Sequence, residues 1–190
     1  MTYLGDGKRV PYLEKWKIAR EVEKILGEDC WAREAPVDLE RLCDKLGIGI
    51  VPVSGLSEDF CVDAFIAANF KIMYVDSDEF EKESYRYKFS VAHELGHFVL
   101  HREYADGLED LSGYAEFQAN YFAGCLLVPE NGLARILNEE FGGSFARNYW
   151  DVSLRKIGDA LEKVQKYFMV SDQVVMRRMR ETFPGIKEDF

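Results

Sequence analysis

All three histidines of the chain lie in one stretch, SVAHELGHFVLH, from Ser90 to His101. His93 and His97 are four residues apart, so on a helix both side chains project from one face, one turn apart. Two imidazoles at this separation are suited to bind one tetrahedral zinc ion. Glu94 lies one residue further round the helix, where it can reach the water position of such an ion and act as a general base.

A helix that carries His-Glu-x-x-His by coincidence is the alternative interpretation. Residue frequencies place that coincidence in fewer than about one chain of this length in a hundred. The flanking residues are apolar enough to bury the helix, and burying two histidines without a metal or other partners costs free energy. We therefore favour the metal site. His101 lies about 12 Å along the axis from His93, too far to share one ion, and is predicted to be structural.

A zinc ion that keeps one position for water needs a third protein ligand. Glu116 follows His97 by 19 residues, which leaves room for the helix to end and for a second helix to dock. Asn120 lies on the same face as Glu116, and its amide oxygen can accept the Nδ1–H of a ligating histidine. A solvated carboxylate at a helix start is the other interpretation of Glu116, and both stay open on spacing alone. Three further carboxylates compete for the role from a predicted loop: Glu103, Glu109 and Asp110.

The apolar pattern predicts an α+β fold in which a small sheet of about three strands packs on helices. Strands are predicted at 48–53, 62–68 and 71–75, the last two forming a hairpin through Asn69-Phe70. Helices are predicted over 13–26, from Pro36 to Gly47, from about Glu83 through Val99, and over 113–127, 132–141, 153–168 and 171–182. A linker at Gly142-Gly143-Ser144 predicts one domain over residues 1–141 and a C-terminal helical segment over 142–190.

Composition narrows the class of protein further. The net charge of −10 repels phosphate backbones, so direct nucleic-acid binding is not expected. The four cysteines are irregularly spaced, and the chain shows neither a secretory leader nor an apolar run of about 18 residues. The sequence therefore predicts a cytoplasmic protein that does not span a membrane.

Two motifs in tandem resemble the ImmA/IrrE family of metallopeptidases. The first is HELGHFVLH, which starts at His93, and the second is EFQANYFAGCLLVP, which starts at Glu116. The segment PVDLERLCDKLGI from Pro36 and the tail LEKVQKYFMVS from Leu161 are also similar to that family. The resemblance covers about residues 13 to 182. The family often carries Glu at the position of Gln118, so this chain departs from the family pattern there.

The resemblance implies a gluzincin-like zincin domain, with His93, His97 and Glu116 on Zn²⁺ and Glu94 catalytic. Another divalent ion also suits two imidazoles and a carboxylate. The family further implies cleavage of a cytosolic regulatory protein, commonly a helix-turn-helix repressor encoded nearby in mobile elements or stress-response loci. Peptide hydrolysis also needs a donor to the developing oxyanion. Three side chains are candidates for that donor: Tyr114, Tyr121 and His101.

The last helix offers a hypothesis of a different class. Arg177, Arg178 and Arg180 could belong to a helix-turn-helix-like module, in which case the protein is a non-proteolytic, zinc-containing regulator that binds a repressor or DNA through its C-terminal helices. A solvated helix face is the plainer interpretation of these arginines. A latent peptidase that awaits a stress signal is a third possibility.

Overall fold

A computed structural model of the chain describes residues 11–27, 36–67, 71–81, 84–104, 113–143, 145 and 154–183. The described residues fall into two compact units. The first unit takes its residues from Met1–Ile25 and Asp38–Ala123, and the second from Leu26–Val37 and Gly124–Phe190. The predicted domain boundary between residues 141 and 142 lies inside the second unit, and it stays a prediction.

The first unit contains a three-stranded mixed sheet, as predicted. Its strands are β1 (Gly49–Val53), β2 (Ala64–Ile66) and β3 (Ile72–Asp76), in the order β1-β3-β2. β1 pairs with β3 in parallel, with Gly49 opposite Ile72, whereas β2 pairs with β3 in antiparallel fashion. β2 is therefore an edge strand. The predicted hairpin turn at Asn69-Phe70 lies outside the described residues.

Six helices accompany this sheet in the described part of the chain: α1 (Lys15–Leu26), α2 (Leu39–Leu46), α3 (Leu56–Phe60), α4 (Ser77–Glu81), α5 (Tyr85–His101) and α6 (Gly113–Leu127). Local signals set the ends of α2, because Asp38 accepts a hydrogen bond from the Arg41 N–H at its start and Gly47 adopts φ +74° at its end. Ser84 caps α5 by accepting from the N–H of Tyr87. The five-residue helices α3 and α4 were not predicted, since one turn shows no apolar period.

Helix α5 forms the centre of the first unit. Val91, Ala92 and Leu95 are fully buried, and the helix packs on α2, on β2 and on β3. Because so much of its circumference is covered, the polar residues of α5 are held among apolar neighbours. The histidines of this helix therefore need protein partners or a metal.

Asp76 ties the end of β3 to the two short helices. Its carboxylate accepts hydrogen bonds from the backbone N–H of Ser57 at 3.0 Å, from the Ser57 hydroxyl at 3.2 Å and from the N–H of Asp78 at 3.0 Å. The hydrogen bond from the Ser57 backbone is the main reason why the pKa of Asp76 lies below its ordinary value of 3.8, although burial acts in the opposite direction. These contacts position α3, which leads into β2.

We expect Asp76→Asn to destabilise the protein near neutral pH. The folded state prefers the ionised carboxylate, so its contribution is present above the pKa of the unfolded chain and is lost as the pH falls through the lower folded-state pKa. Urea unfolding between pH 7 and pH 2 gives the free energy of unfolding of both proteins, and the difference between them should become smaller in acid. Asp44→Asn, at an exposed position of α2, is the control and should unfold like the wild type throughout.

Among the described residues, the second unit contains the last turn of α6 and three further helices: α7 (Glu130–Glu140), α8 (Leu154–Phe168) and α9 (Asp172–Thr182). α8 packs on both α7 and α9. The ring of Phe168 packs directly against Gly132. A Cβ at position 132 would lie only 2.7 Å from Cζ of that ring, so a larger residue would clash with it. These helices match the predicted helices within two residues at each end. Among the described helices, none combines the length and the apolar character that crossing a bilayer requires.

Candidate metal centre

Three side chains from α5 and α6 converge on one point of the first unit. Nε2 of His93 lies 3.3 Å from one carboxylate oxygen of Glu116, and Nε2 of His97 lies 3.4 Å from the other. The two Nε2 atoms are 2.9 Å apart. Glu116 lies in the first turn of α6 and has a half-exposed side chain, so it can move toward a ligand. The structure thus brings together the three residues that the sequence pattern paired.

The donor set fits a small divalent cation. Ligand bonds of about 2.0–2.1 Å around a tetrahedral ion place neighbouring donor atoms about 3.3 Å apart. The three distances among His93, His97 and Glu116 range from 2.9 to 3.4 Å. Both rings present Nε2 to this point and direct Nδ1 to other protein groups. The residues present therefore suit the zinc ion that the sequence motif implies.

Gly96 and Ala119 allow α5 and α6 to approach closely beside this point. A Cβ at Gly96 would lie 2.9 Å from Cα and 3.1 Å from the carbonyl oxygen of Ala119. Any larger side chain would have to displace the backbone of α6. The glycine of His-Glu-Leu-Gly-His is therefore required by packing, and the packing sets the distance between the two histidines and Glu116.

We expect Gly96→Ala to destabilise the protein by about 1–3 kcal/mol, because overpacking against backbone forces the helices apart. The separation should also weaken zinc binding. Urea unfolding and competition with a chromophoric chelator measure the two effects.

Gly158→Ala in α8 is the matched control, since a Cβ there meets nothing within 4 Å. It should raise stability by about 0.5–1 kcal/mol through helix propensity and leave zinc affinity unchanged. Equal behaviour of the two variants would contradict the packing argument.

The outward nitrogens of both rings have protein partners. Nδ1 of His93 lies 3.2 Å from the side-chain oxygen of Asn120, the contact proposed from spacing. Nδ1 of His97 lies 3.0 Å from Nδ1 of His101. Nε2 of His101 in turn lies 3.0 Å from the side-chain oxygen of Gln118. The contacts from His97 through His101 to Gln118 were not predicted from the sequence, although the four-residue spacing of His97 and His101 was a signal for the first of them.

Burial controls the charge of the rings in this cluster. It lowers the pKa of His97 to about 3, with smaller contributions from His93 and His101. Burial also lowers the pKa of His101. Both rings are therefore neutral near pH 7, which is the form in which an imidazole binds a metal.

Glu94 lies beside the convergence point, and one of its oxygens accepts a hydrogen bond of 2.8 Å from the backbone N–H of Ile66 in β2. Donor atoms of His93, Glu94 and His97 all lie within 4.8 Å of one another. Burial raises the pKa of Glu94 to about 7, and the charge of Glu116 adds to the rise, whereas the Ile66 hydrogen bond opposes it. A carboxylate with this pKa can both take up and release a proton near neutrality.

A cavity of about 540 Å³ opens onto these groups. Residues 61–66 line one side, and His93, Glu94, His97 and Glu116 line the other. A volume of this size accommodates several residues of an extended peptide. The reacting groups therefore face a space that a polypeptide can enter.

The other candidates from the sequence lie in different places. Tyr114 is exposed and meets the ring of Tyr12 edge-on, and Tyr121 lies beneath the ammonium group of Lys15. Neither tyrosine is part of the cavity lining. His101 reaches the lining, but its two ring nitrogens already contact His97 and Gln118. Among the rival carboxylates, Glu103 is exposed beyond α5, and the two at positions 109 and 110 lie outside the described residues.

The α+β fold and the His-Glu-His cluster define a zincin-like metallopeptidase domain. The model of the peptidase family described as "IrrE N-terminal-like domain" matches residues 43–180. The chain belongs to this family, which confirms the resemblance to ImmA/IrrE that its motifs carry.

Comparison with solved structures supports the fold. A chain described as "Mycobacterium tuberculosis transcriptional regulator" is similar, with a TM-score of 0.50 and 18% sequence identity. The similarity covers 89% of this chain and 48% of that one, so this chain spans about half the length of that structure. At this identity the likeness concerns the fold alone. No curated protein matched the sequence.

Proposed function

We propose that this protein is a zinc-dependent endopeptidase that cleaves a cytoplasmic regulatory protein, namely a helix-turn-helix repressor. One observation carries the proposal. Nε2 of His93 and Nε2 of His97 lie 3.3 and 3.4 Å from the carboxylate oxygens of Glu116, at the wall of an open cavity that also contains Glu94. In this proposal His93, His97 and Glu116 hold the metal, and Asn120 orients His93.

Zinc at such a site supplies a Lewis acid that polarises the scissile carbonyl and acidifies water. One carboxylate oxygen of Glu94 accepts a hydrogen bond from Ile66, and the other accepts the proton of the attacking water. Glu94 then passes this proton to the leaving amine. The N–H of Ile66 holds the first oxygen at 2.8 Å, so the carboxylate keeps its orientation through both transfers. A pKa of about 7 for Glu94 in the metal-free cluster lies near the value that serves both steps.

The edge strand β2 supports the binding of an extended substrate. Asp63 and Ala67 make the backbone hydrogen bonds to the β3 side, to Asp76 and Ile72 respectively. Backbone groups alternate along a strand, so those of Ala64 and Ile66 face away from β3. The N–H of Ile66 already donates to Glu94, so a substrate strand would pair with the backbone groups of Ala64 and the carbonyl of Ile66. A substrate strand that adds to this side would lie along the cavity wall next to Glu94.

The proposed partner also agrees with charge. The chain carries a net charge of −10, and a repressor that binds DNA presents a basic surface to phosphate. Opposite net charges steer association and increase its rate. The acidic surface of this protein therefore supports a basic, DNA-binding protein as the class of substrate.

We expect Glu94→Gln to abolish cleavage while the metal is retained. The amide can still accept from Ile66, but it cannot take a proton from water. The test is co-expression with any helix-turn-helix repressor that is found to be encoded beside the gene, followed by mass spectrometry of fragments and measurement of bound zinc. Glu58→Gln, exposed on α3, is the control. Cleavage by Glu94→Gln at the wild-type rate would exclude Glu94 as the base.

We expect Glu116→Gln to weaken zinc binding by at least about tenfold, because it replaces the one anionic ligand by a neutral amide. Chelator competition gives the Kd of the purified full-length variants. Glu103→Gln, at an exposed site just beyond α5, removes the same charge away from the cluster and should keep the wild-type Kd. The same Kd for both variants would remove Glu116 from the ligand set.

The non-proteolytic alternative has less support in the second unit. Arg178 is only 3% exposed, donates to the carbonyl of Val128 at 3.1 Å and forms an ion pair of 2.9 Å with Glu181. This arginine therefore stabilises the packing of its own unit and is not available to phosphate. Arg177 and Arg180 are exposed, which agrees with a solvated helix face.

A further inference from the structure

We propose that Gln118 is a positioning residue that, through His101, holds His97 in the tautomer whose Nε2 can bind a metal. The inference deepens the proposed function, because it concerns the same metal site. It rests on a continuous series of contacts in the first unit. Nε2 of Gln118 lies 2.7 Å from the carbonyl oxygen of Pro11, its Oε1 lies 3.0 Å from Nε2 of His101, and Nδ1 of His101 lies 3.0 Å from Nδ1 of His97.

The series begins at a group that has one possible role. The carbonyl oxygen of Pro11 can only accept a hydrogen bond, so the part of the Gln118 amide that faces it must be the NH₂ group. This fixes the orientation of the amide, whose oxygen and nitrogen have nearly the same size and shape. The carbonyl oxygen of Gln118 must then face His101.

The orientation of Gln118 determines where His101 carries its hydrogen. Oε1 of Gln118 can only accept, so the nearby Nε2 of His101 must be the protonated nitrogen. In a neutral ring the other nitrogen, Nδ1, then carries a lone pair. Nδ1 of His101 is therefore an acceptor toward His97.

The tautomer of His101 in turn determines the tautomer of His97, which belongs to the metal site. Nδ1 of His97 faces an acceptor at 3.0 Å, so it carries the hydrogen and donates it. Nε2 of His97 is left with its lone pair, and it is this atom that lies 3.4 Å from Glu116 and 2.9 Å from Nε2 of His93. The ring is thus prepared as a ligand before any ion arrives.

Burial makes the arrangement depend on protein partners. The exposed fractions are 0% for Gln118, 1% for His101 and 5% for His97, so bulk water cannot replace a lost partner. Without an acceptor at position 118, His101 can carry its hydrogen on Nδ1 and donate to His97. That ring would then hold its hydrogen on Nε2, where it blocks the metal.

The choice of glutamine follows from these contacts. The side chain must accept from His101 and donate to Pro11 at the same time, and an amide does both. A carboxylate offers only acceptors when ionised, and it would favour a charged His101 with hydrogens on both nitrogens. Gln118 therefore fixes the orientation of His101 through one accepted and one donated hydrogen bond.

The test compares Gln118→Met, which removes donor and acceptor at similar volume, with Gln173→Met at an exposed position of α9. Ring nitrogens of the metal-free, full-length protein are observed by long-range ¹H–¹⁵N correlation, in which three histidines give a simple spectrum. The Kd for zinc alone is measured by chelator competition. His101→Leu and the double variant complete a cycle.

We expect the wild type to show His101 protonated at Nε2 and His97 at Nδ1. Gln118→Met should mix the tautomers of both rings and weaken zinc binding about 10- to 100-fold, the usual effect of losing a group that orients a ligand. Gln173→Met should change neither the tautomers nor the Kd for zinc. If Gln118 acts through His101, adding Gln118→Met to His101→Leu should produce no further loss of affinity.

The wild-type spectrum alone can overturn the inference, which it would do if the hydrogen of His101 lay on Nδ1. The test therefore remains decisive even if Gln118→Met folds poorly. Unchanged tautomers together with an unchanged Kd in Gln118→Met would overturn it as well. None of these measurements uses cleavage. A protein that binds zinc with the expected tautomers but leaves every repressor intact would refute the proposed function and support this inference.

Discussion

The close contact between α5 and α6 is the constraint on which the metal site depends. Gly96 lets the backbone of Ala119 lie directly against α5, so no side chain separates the helices at that level. Glu116 and Asn120, on either side of this contact along α6, then meet the two histidines. Two helices that crossed one side chain further apart would keep the His-Glu-x-x-His motif and lose its third ligand.

Burial acts on the acid and on the bases of the site in ways that serve one chemistry. The low-polarity surroundings of α5 keep His97 and His101 neutral, and they raise the pKa of Glu94 to about 7. A single physical cause therefore produces neutral ligands and a carboxyl group able to exchange protons. The cost is that each ring nitrogen directed into the protein needs a partner, which Asn120, His101 and Gln118 supply.

Periodicity and spacing predicted the part of the structure that depends on local sequence. The helical spacing of His93 and His97, the strands of the small sheet and the residue pair Glu116 and Asn120 were all readable in the sequence. The short helices α3 and α4 were not, because the Asp76 carboxylate that links them to β3 joins residues up to 19 positions apart. The contact between Gln118 and Pro11 spans 107 positions, and no local pattern encodes such a contact.

The hydrogen bond between Glu94 and the Ile66 N–H connects the reacting carboxylate to the backbone of an edge strand. In the proposed reaction, a peptide aligned on that strand would be placed relative to the carboxylate by main-chain geometry, which is the same for every amino acid. The residue cut would then depend on how far the peptide slides along β2 before it settles. Whether a protein is cleaved would then depend mainly on whether it contains an unfolded segment of sufficient length. The side chains in that segment would matter less.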